Sequence, residues 1–166
     1  MPDKLNTSDV ESAVAKYFNP RINLIVPNVY WGLGFSYELD LLICSQSFYC
    51  TEVEIKVSKS DIKAEQNKRH THRDNKIKRF FYAVPWYLQD CEYLPSNCGL
   101  IVVDDNLRCK TMRPPRVNRF ARRLTPDEHI KLLELGCMRI WTLKETIADR
   151  RRRAENRVQS QLPEAP

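Results

Sequence analysis

Within the stretch Tyr37 to Lys56, YELDLLICSQSFYCTEVEIK, three residues could do chemistry together: Asp40, Glu54 and Lys56. Side chains alternate across a strand, so TEVEIK sets Glu52, Glu54 and Lys56 on one face and the apolar Val53, Ile55 and Val57 on the other. Asp40 stands among Leu39, Leu41 and Leu42, where an unpaired charge is costly, and a cation is its natural partner. Magnesium is satisfied by a few carboxylate oxygens and keeps positions for water and a substrate phosphate, so an Asp and a Glu on adjacent strands suffice to start a site. A lysine beside them can orient or deprotonate an attacking water, or neutralise charge developing on a phosphate. The competing reading makes Asp40 and Glu54 structural, salt-bridged to neighbouring cations. Glu52 is expected as a solvated strand residue.

The elements that would position these residues can be read from the pattern around them. Ser8 is a plausible N-cap for a helix through about Phe18, with Glu11 in its first turn and Val10, Ala13, Val14 and Tyr17 at helical spacing. Asn19-Pro20 ends it. Residues Arg21 to Trp31 read as a strand interrupted by Pro27, which places it at an edge, and Gly32 and Gly34 form a turn. Strands over about Tyr37 to Cys44 and Phe48 to Val57 make a hairpin through Ser45-Gln46-Ser47. A basic, largely exposed helix is expected over Ser58 to Lys78, and strands over Arg79 to Val84, Gly99 to Val103 and Leu107 to Met112. Thr125-Pro126-Asp127-Glu128 is a strong helix start, Gly136 is expected to end or kink that helix, and a second amphipathic segment covers Ile140 to Ala148. The resulting division is a leader over 1–7, a core over 8–113, a basic loop with C-terminal helices over 114–156, and a disordered tail over 157–166.

Composition bounds the partners. The 166 residues carry a net charge of +6, which favours an acidic partner, and for such a chain nucleic acid is the common one. The charge is clustered: Lys56 to Arg79 holds nine Lys or Arg against three acids, and Arg108 to Arg123 holds seven against none. Lys59, Ser60, Lys63, Lys68, Arg69 and Arg73 are therefore candidate contacts to a nucleic-acid backbone. No run approaches a membrane span, and the first twenty residues lack a continuous apolar run, so a cytoplasmic protein without a membrane partner is expected. A homodimer stays open. The six cysteines form no CxxC pair and are expected as reduced, packed thiols, with a site of Cys91, Cys98, His70 and His72 as a remote alternative.

A helix, a strand ending in ELDLL, a strand ending in EIK and a following basic helix resemble the PD-(D/E)XK nuclease superfamily. The run EIKVSKSDIKAEQNK, with FFYAVP and GLIVVDD later, is more specifically similar to the MmcB-like DNA-repair endonucleases and related phage proteins. The resemblance spans Ser8 to Asp105, with Leu39 standing where the superfamily's name expects proline. It implies an α/β restriction-endonuclease-like core, a mixed central sheet flanked by helices, with a C-terminal helical extension. It also implies a Mg²⁺-dependent (or Mn²⁺-dependent) endonuclease hydrolysing phosphodiester bonds in DNA. Asp40, Glu54 and Lys56 would be catalytic, and Glu11, Asp40, Glu54 and the Ile55 carbonyl would hold the metal. The alternative is a non-catalytic DNA-binding protein on the same fold.

Overall fold

The computed structural model describes residues 4–65 and 74–159. Their elements run α1 (Thr7–Tyr17), β1 (Leu24–Val29), β2 (Leu39–Cys44), β3 (Cys50–Ile55), α2 (Lys59–Glu65), β4 (Ile77–Pro85), a single 3-10 turn (Trp86–Leu88), β5 (Gly99–Val103), β6 (Cys109–Arg113) and α3 (Pro126–Gln159). The protein is thus α/β, with one six-stranded mixed sheet flanked by helices and a C-terminal helix. The strands lie in chain order from β1 to β6. Hairpins pair β1–β2–β3 and β5–β6 antiparallel, while β3, β4 and β5 run parallel. Pro27 lies in β1, an edge strand, where its missing N–H costs no ladder bond.

The alternation of β2 to β5 sorts the core into two faces. Leu41, Ile43, Val53, Ile55, Phe81, Ala83, Ile101 and Val103 point to the side covered by Val10, Ala13 and Val14 of α1. The opposite side is covered in two places: Leu132 and Leu135 of α3 pack over β1 and β2, and Ile62 of α2 packs over Tyr82, Val84, Leu100 and Val102. The strip between those coverings belongs to the even-numbered residues of β3.

Several boundaries differ from expectation. Asn6, not Ser8, caps α1: its side chain accepts from Asp9 N and its own N–H donates to Asp9, a reciprocal box that starts the helix two residues before the Ser8–Glu11 pair of the same spacing. The basic helix cannot extend to Lys78, because β4 begins at Ile77; Ser58 caps α2, its Oγ accepting from Asp61 N at 3.1 Å. Ile62 is fully buried, so α2 is anchored and not merely a surface element. The two expected C-terminal helices are one. Gly136 interrupts nothing: α3 continues for 34 residues, past the expected start of a tail at 157, because the roughly 1 kcal/mol penalty of one glycine is small beside the run of good helix formers around it. Only its N-terminal part packs on the core. All six cysteines are free, with Cys44, Cys50 and Cys98 buried and Cys137 exposed. Among the described residues no helix is long and apolar enough to cross a membrane.

The start of α3 matches its sequence signature. Thr125 N donates to Glu128 Oε2 at 2.8 Å and Glu128 N to Thr125 Oγ1 at 3.2 Å, and Arg122 grips the same carboxylate with two bonds of 2.6 Å. Arg122, foremost, holds the Glu128 carboxyl down to about 2 against an ordinary 4.5. A depressed carboxyl stabilises the fold above its unfolded value and loses that contribution as pH falls through the folded one. Urea unfolding should therefore show wild type losing an advantage of roughly 1–2 kcal/mol over Glu128→Gln between about pH 4.5 and pH 2, and holding it unchanged above.

Candidate active site

The β2–β3 ladder is regular from Cys44↔Cys50 to Leu41↔Val53 and stops there. One residue further on, Asp40 takes over with its side chain: Ile55 N donates to Asp40 Oδ2 at 2.7 Å. The strands part at this point, and a half-buried carboxylate lies in the opening. On its other edge β3 stays bound to β4, with Lys56 N donating to the Ala83 carbonyl at 3.0 Å. The end of β3 is thus held by β4 along one edge and by the Asp40 carboxylate along the other.

Glu54 and Lys56 project from the face opposite α1. Both are almost wholly buried, and Lys56 Nζ donates to Glu54 Oε1 at 2.7 Å. Asp61, in the first turn of α2, approaches the same ammonium at 3.8 Å. Glu11 comes in from α1; burial, and next to it the charge of Asp40, pushes its carboxyl above the ordinary value. Two acids 29 positions apart in sequence are thus close enough to repel, a situation that a cation between them relieves.

The structure therefore brings Glu11, Asp40, Glu54, Lys56 and the Ile55 main chain to one end of β2 and β3, while the Ile55 side chain faces α1. Lys59, Ser60 and Lys63 lie exposed on the neighbouring α2, with Ser60 Oγ sharing a hydrogen bond with Ser58 Oγ and Lys63 Nζ 5.4 Å from the Tyr93 ring centre. Lys68, Arg69, Arg73, His70 and His72 fall outside the described residues. Among the described residues no group of three or more His, Cys, Asp or Glu is gathered tightly enough to hold a metal as it stands. The donor types nevertheless fit a hard divalent cation: carboxylate oxygens from three elements, Glu11 of α1, Asp40 of β2 and Glu54 of β3.

One expectation is overturned. Glu52 is not solvated but fully buried, and Tyr37 Oη donates to its Oε2 at 3.1 Å. Burial, then the Glu52 charge, raises the Tyr37 phenol well above its usual range. Neither Tyr37 nor Asp61 was identified from the strand pattern as part of this polar strip. Tyr37 precedes β2, where alternation says nothing. Asp61 had a helix-start signal and a place in the run EIKVSKSDIKAEQNK that carries the family resemblance. The basic loop after β6 is also less available than its composition implied: Arg113 is spent on the Cys98 and Pro95 carbonyls, both at 2.6 Å, and Arg122 on Glu128.

No family model matches the chain, and no curated protein matches it. Among solved structures, a protein of unknown function from Silicibacter pomeroyi is similar, with a TM-score of 0.62 and 17% identity over 90% of this chain and 95% of that one. At that identity the likeness concerns the fold alone, and it extends over nearly the full length of both chains.

Proposed function

We propose that the chain is a divalent-metal-dependent deoxyribonuclease whose core is of the restriction-endonuclease-like, PD-(D/E)XK type. The observation that carries this reading is the convergence of Asp40, Glu54, Lys56 and Glu11 at the parted end of β2 and β3, on an antiparallel three-strand meander continued by α2 and a parallel β4. Asp40, Glu54, Glu11 and the Ile55 carbonyl would hold Mg²⁺ or Mn²⁺, which when bound polarises the scissile phosphate and acidifies water. Asp40 stays fixed by the Ile55 N–H, so its second oxygen keeps one direction. Lys56 would bring its ammonium to a phosphate oxygen or to the attacking water, while Glu54 and Asp61 keep it from swinging away. Lys59, Ser60 and Lys63 stand along α2 where a DNA backbone leaving the site would pass.

Both Asp40 and Glu54 already have partners within the chain, which is what a non-catalytic DNA-binding protein on this fold would also show. One experiment separates the two. Wild type and Asp40→Asn, which keeps an acceptor for Ile55 N, are compared on single-stranded, duplex and branched DNA with Mg²⁺ or Mn²⁺. The expected result is cleavage by wild type, reduced at least roughly 100-fold in the variant with DNA binding retained. Equal cleavage by both sinks the assignment, and salt-sensitive binding without cleavage of any substrate establishes the alternative.

A further inference from the structure

Helix α3 is far longer than the surface it covers. Among its described side chains only Leu132 and Leu135 are buried, and Arg139, donating to the Asn28 carbonyl, is its last anchor to the sheet. From Ile140 through Arg157 every residue is exposed. Yet among its charges this part carries large apolar side chains: Ile140, Trp141, Leu143 and Ile147 are between 56% and 65% exposed, and Ile130 and Leu133 before them 54% and 44%.

Ile130, Leu133, Cys137, Ile140, Lys144 and Ile147 follow one another at intervals of three and four, the spacing of a coiled-coil seam. They lie roughly 110° around the helix from Leu132, so the seam is distinct from the face already packed. Its one charged member, Lys144, keeps its ammonium 5.1 Å from the Trp141 ring centre, which leaves the aliphatic stem along the seam. Extended to Arg151, the seam is about 33 Å long.

The charge along α3 says what covers it. Its first twelve residues hold Asp127 beside Glu128, which Arg122 grips, and Glu134, which pairs with Lys131, whereas Ala148 to Arg157 holds five arginines, of which Arg151 and Arg152 pair with Glu155 and Asp149. Two copies side by side in parallel would stack the arginine runs on each other. Antiparallel, each acidic start meets the other copy's arginines, and the two sheet bodies fall at opposite ends of the pair. We propose that α3 is a homodimerisation helix, its Ile130–Ile147 seam pairing antiparallel with that of a second copy about a two-fold axis near Ile140 and Trp141. The contact is isologous, so each residue of the seam is used twice. It stands whether or not the chain cuts DNA.

Sedimentation of the full chain tests this. Wild type should run at twice its 19.6 kDa mass at micromolar concentration and dissociate progressively as salt rises. Ile140→Glu and Ile147→Glu replace exposed side chains and leave the fold intact by circular dichroism, yet should weaken self-association roughly 100-fold, because each places an unpaired carboxylate in the seam on both copies. Arg150→Glu with Arg153→Glu should weaken it too, and adding Asp127→Lys and Glu134→Lys should restore it. A wild type that stays monomeric at high micromolar concentration overturns the proposal, including one that instead binds anionic vesicles or DNA through this helix. So does a dimer indifferent to both isoleucine substitutions, or one tightened by the arginine reversal.

Discussion

Lys56→Ala should cost about 3–5 kcal/mol of folding stability, read by urea unfolding, and should abolish cleavage at the same time. The side chains of Lys56 and Glu54 are 6% and 4% exposed, and they meet at 2.7 Å. Removing the ammonium leaves the Glu54 carboxylate enclosed by protein, with Asp61 and Asp40 as acidic neighbours and no matching cation contributed by Lys56. A domain with a total stability of roughly 5–15 kcal/mol loses a large share of it in that one change. Pairing Lys56→Met with Glu54→Gln removes both charges at nearly constant volume and should recover most of the stability, while cleavage stays lost. The double variant therefore separates the stability cost of an enclosed Glu54 carboxylate from the loss of cleavage, which either change alone should cause because Glu54 is itself a proposed metal ligand. A single Lys56→Ala variant as stable as wild type, within about 0.5 kcal/mol, would mean that water reaches the pair and that the strip between α2 and α3 is open.

Gly99→Ala should cost about 2–3 kcal/mol, and Gly99→Val more. Gly99 opens β5 opposite Phe81, and a Cβ there would lie 2.8 Å from Phe81 Cε1 and 2.9 Å from Pro115 Cβ, with Phe81 Cδ1 closer still. Phe81 cannot simply turn aside: it is buried in the α1-facing core with its ring against that of Phe18, centres 6.1 Å apart. Pro115 belongs to a stiff Pro-Pro segment. Gly136→Ala is the contrasting substitution. Its Cβ would meet only Val26 Cγ2, at 3.4 Å, inside a helix, so thermal unfolding should show a gain of up to about 1 kcal/mol. Gly99→Ala without a measurable cost would show that β5 and the loop beyond β6 can separate.

The catalytic candidates were legible because the apolar side of TEVEIK is complete, which fixes which residues share the other side. That same alternation could not tell a solvated face from a polar strip enclosed by other elements, and so Glu52 was misplaced: Tyr37 and the coverings from α2 and α3 close over it. Asp40 was recognisable from its leucine surroundings, but its bond to Ile55 N was not, since it depends on where the ladder stops. Caps were legible where one residue had a unique partner, as with Thr125 and Glu128, and misassigned where Asn6 with Asp9 and Ser8 with Glu11 offered two boxes of the same spacing. The unbroken α3 was hidden by Gly136, a residue whose local penalty is real but outweighed by its neighbours. The exposed isoleucines of α3 fell at helical spacing without any sign of which face the sheet would take.

That strand order bears on how the chain acquires its structure. Five residues separate β2 from β3 and β5 from β6, whereas 21 separate β3 from β4 and 13 separate β4 from β5, so the hairpins close at less loop entropy than the parallel pairs, although every strand pairs with its neighbour in the chain. Helix α1 is the exception. The Tyr17 hydroxyl hydrogen-bonds Thr111 in β6 at 2.9 Å, and the Leu5 carbonyl accepts from Tyr87. A helix that precedes every strand of the sheet is thus among the last elements to find its full set of contacts, and Val10 and Val14 stay uncovered while the strands that bury them are still being made.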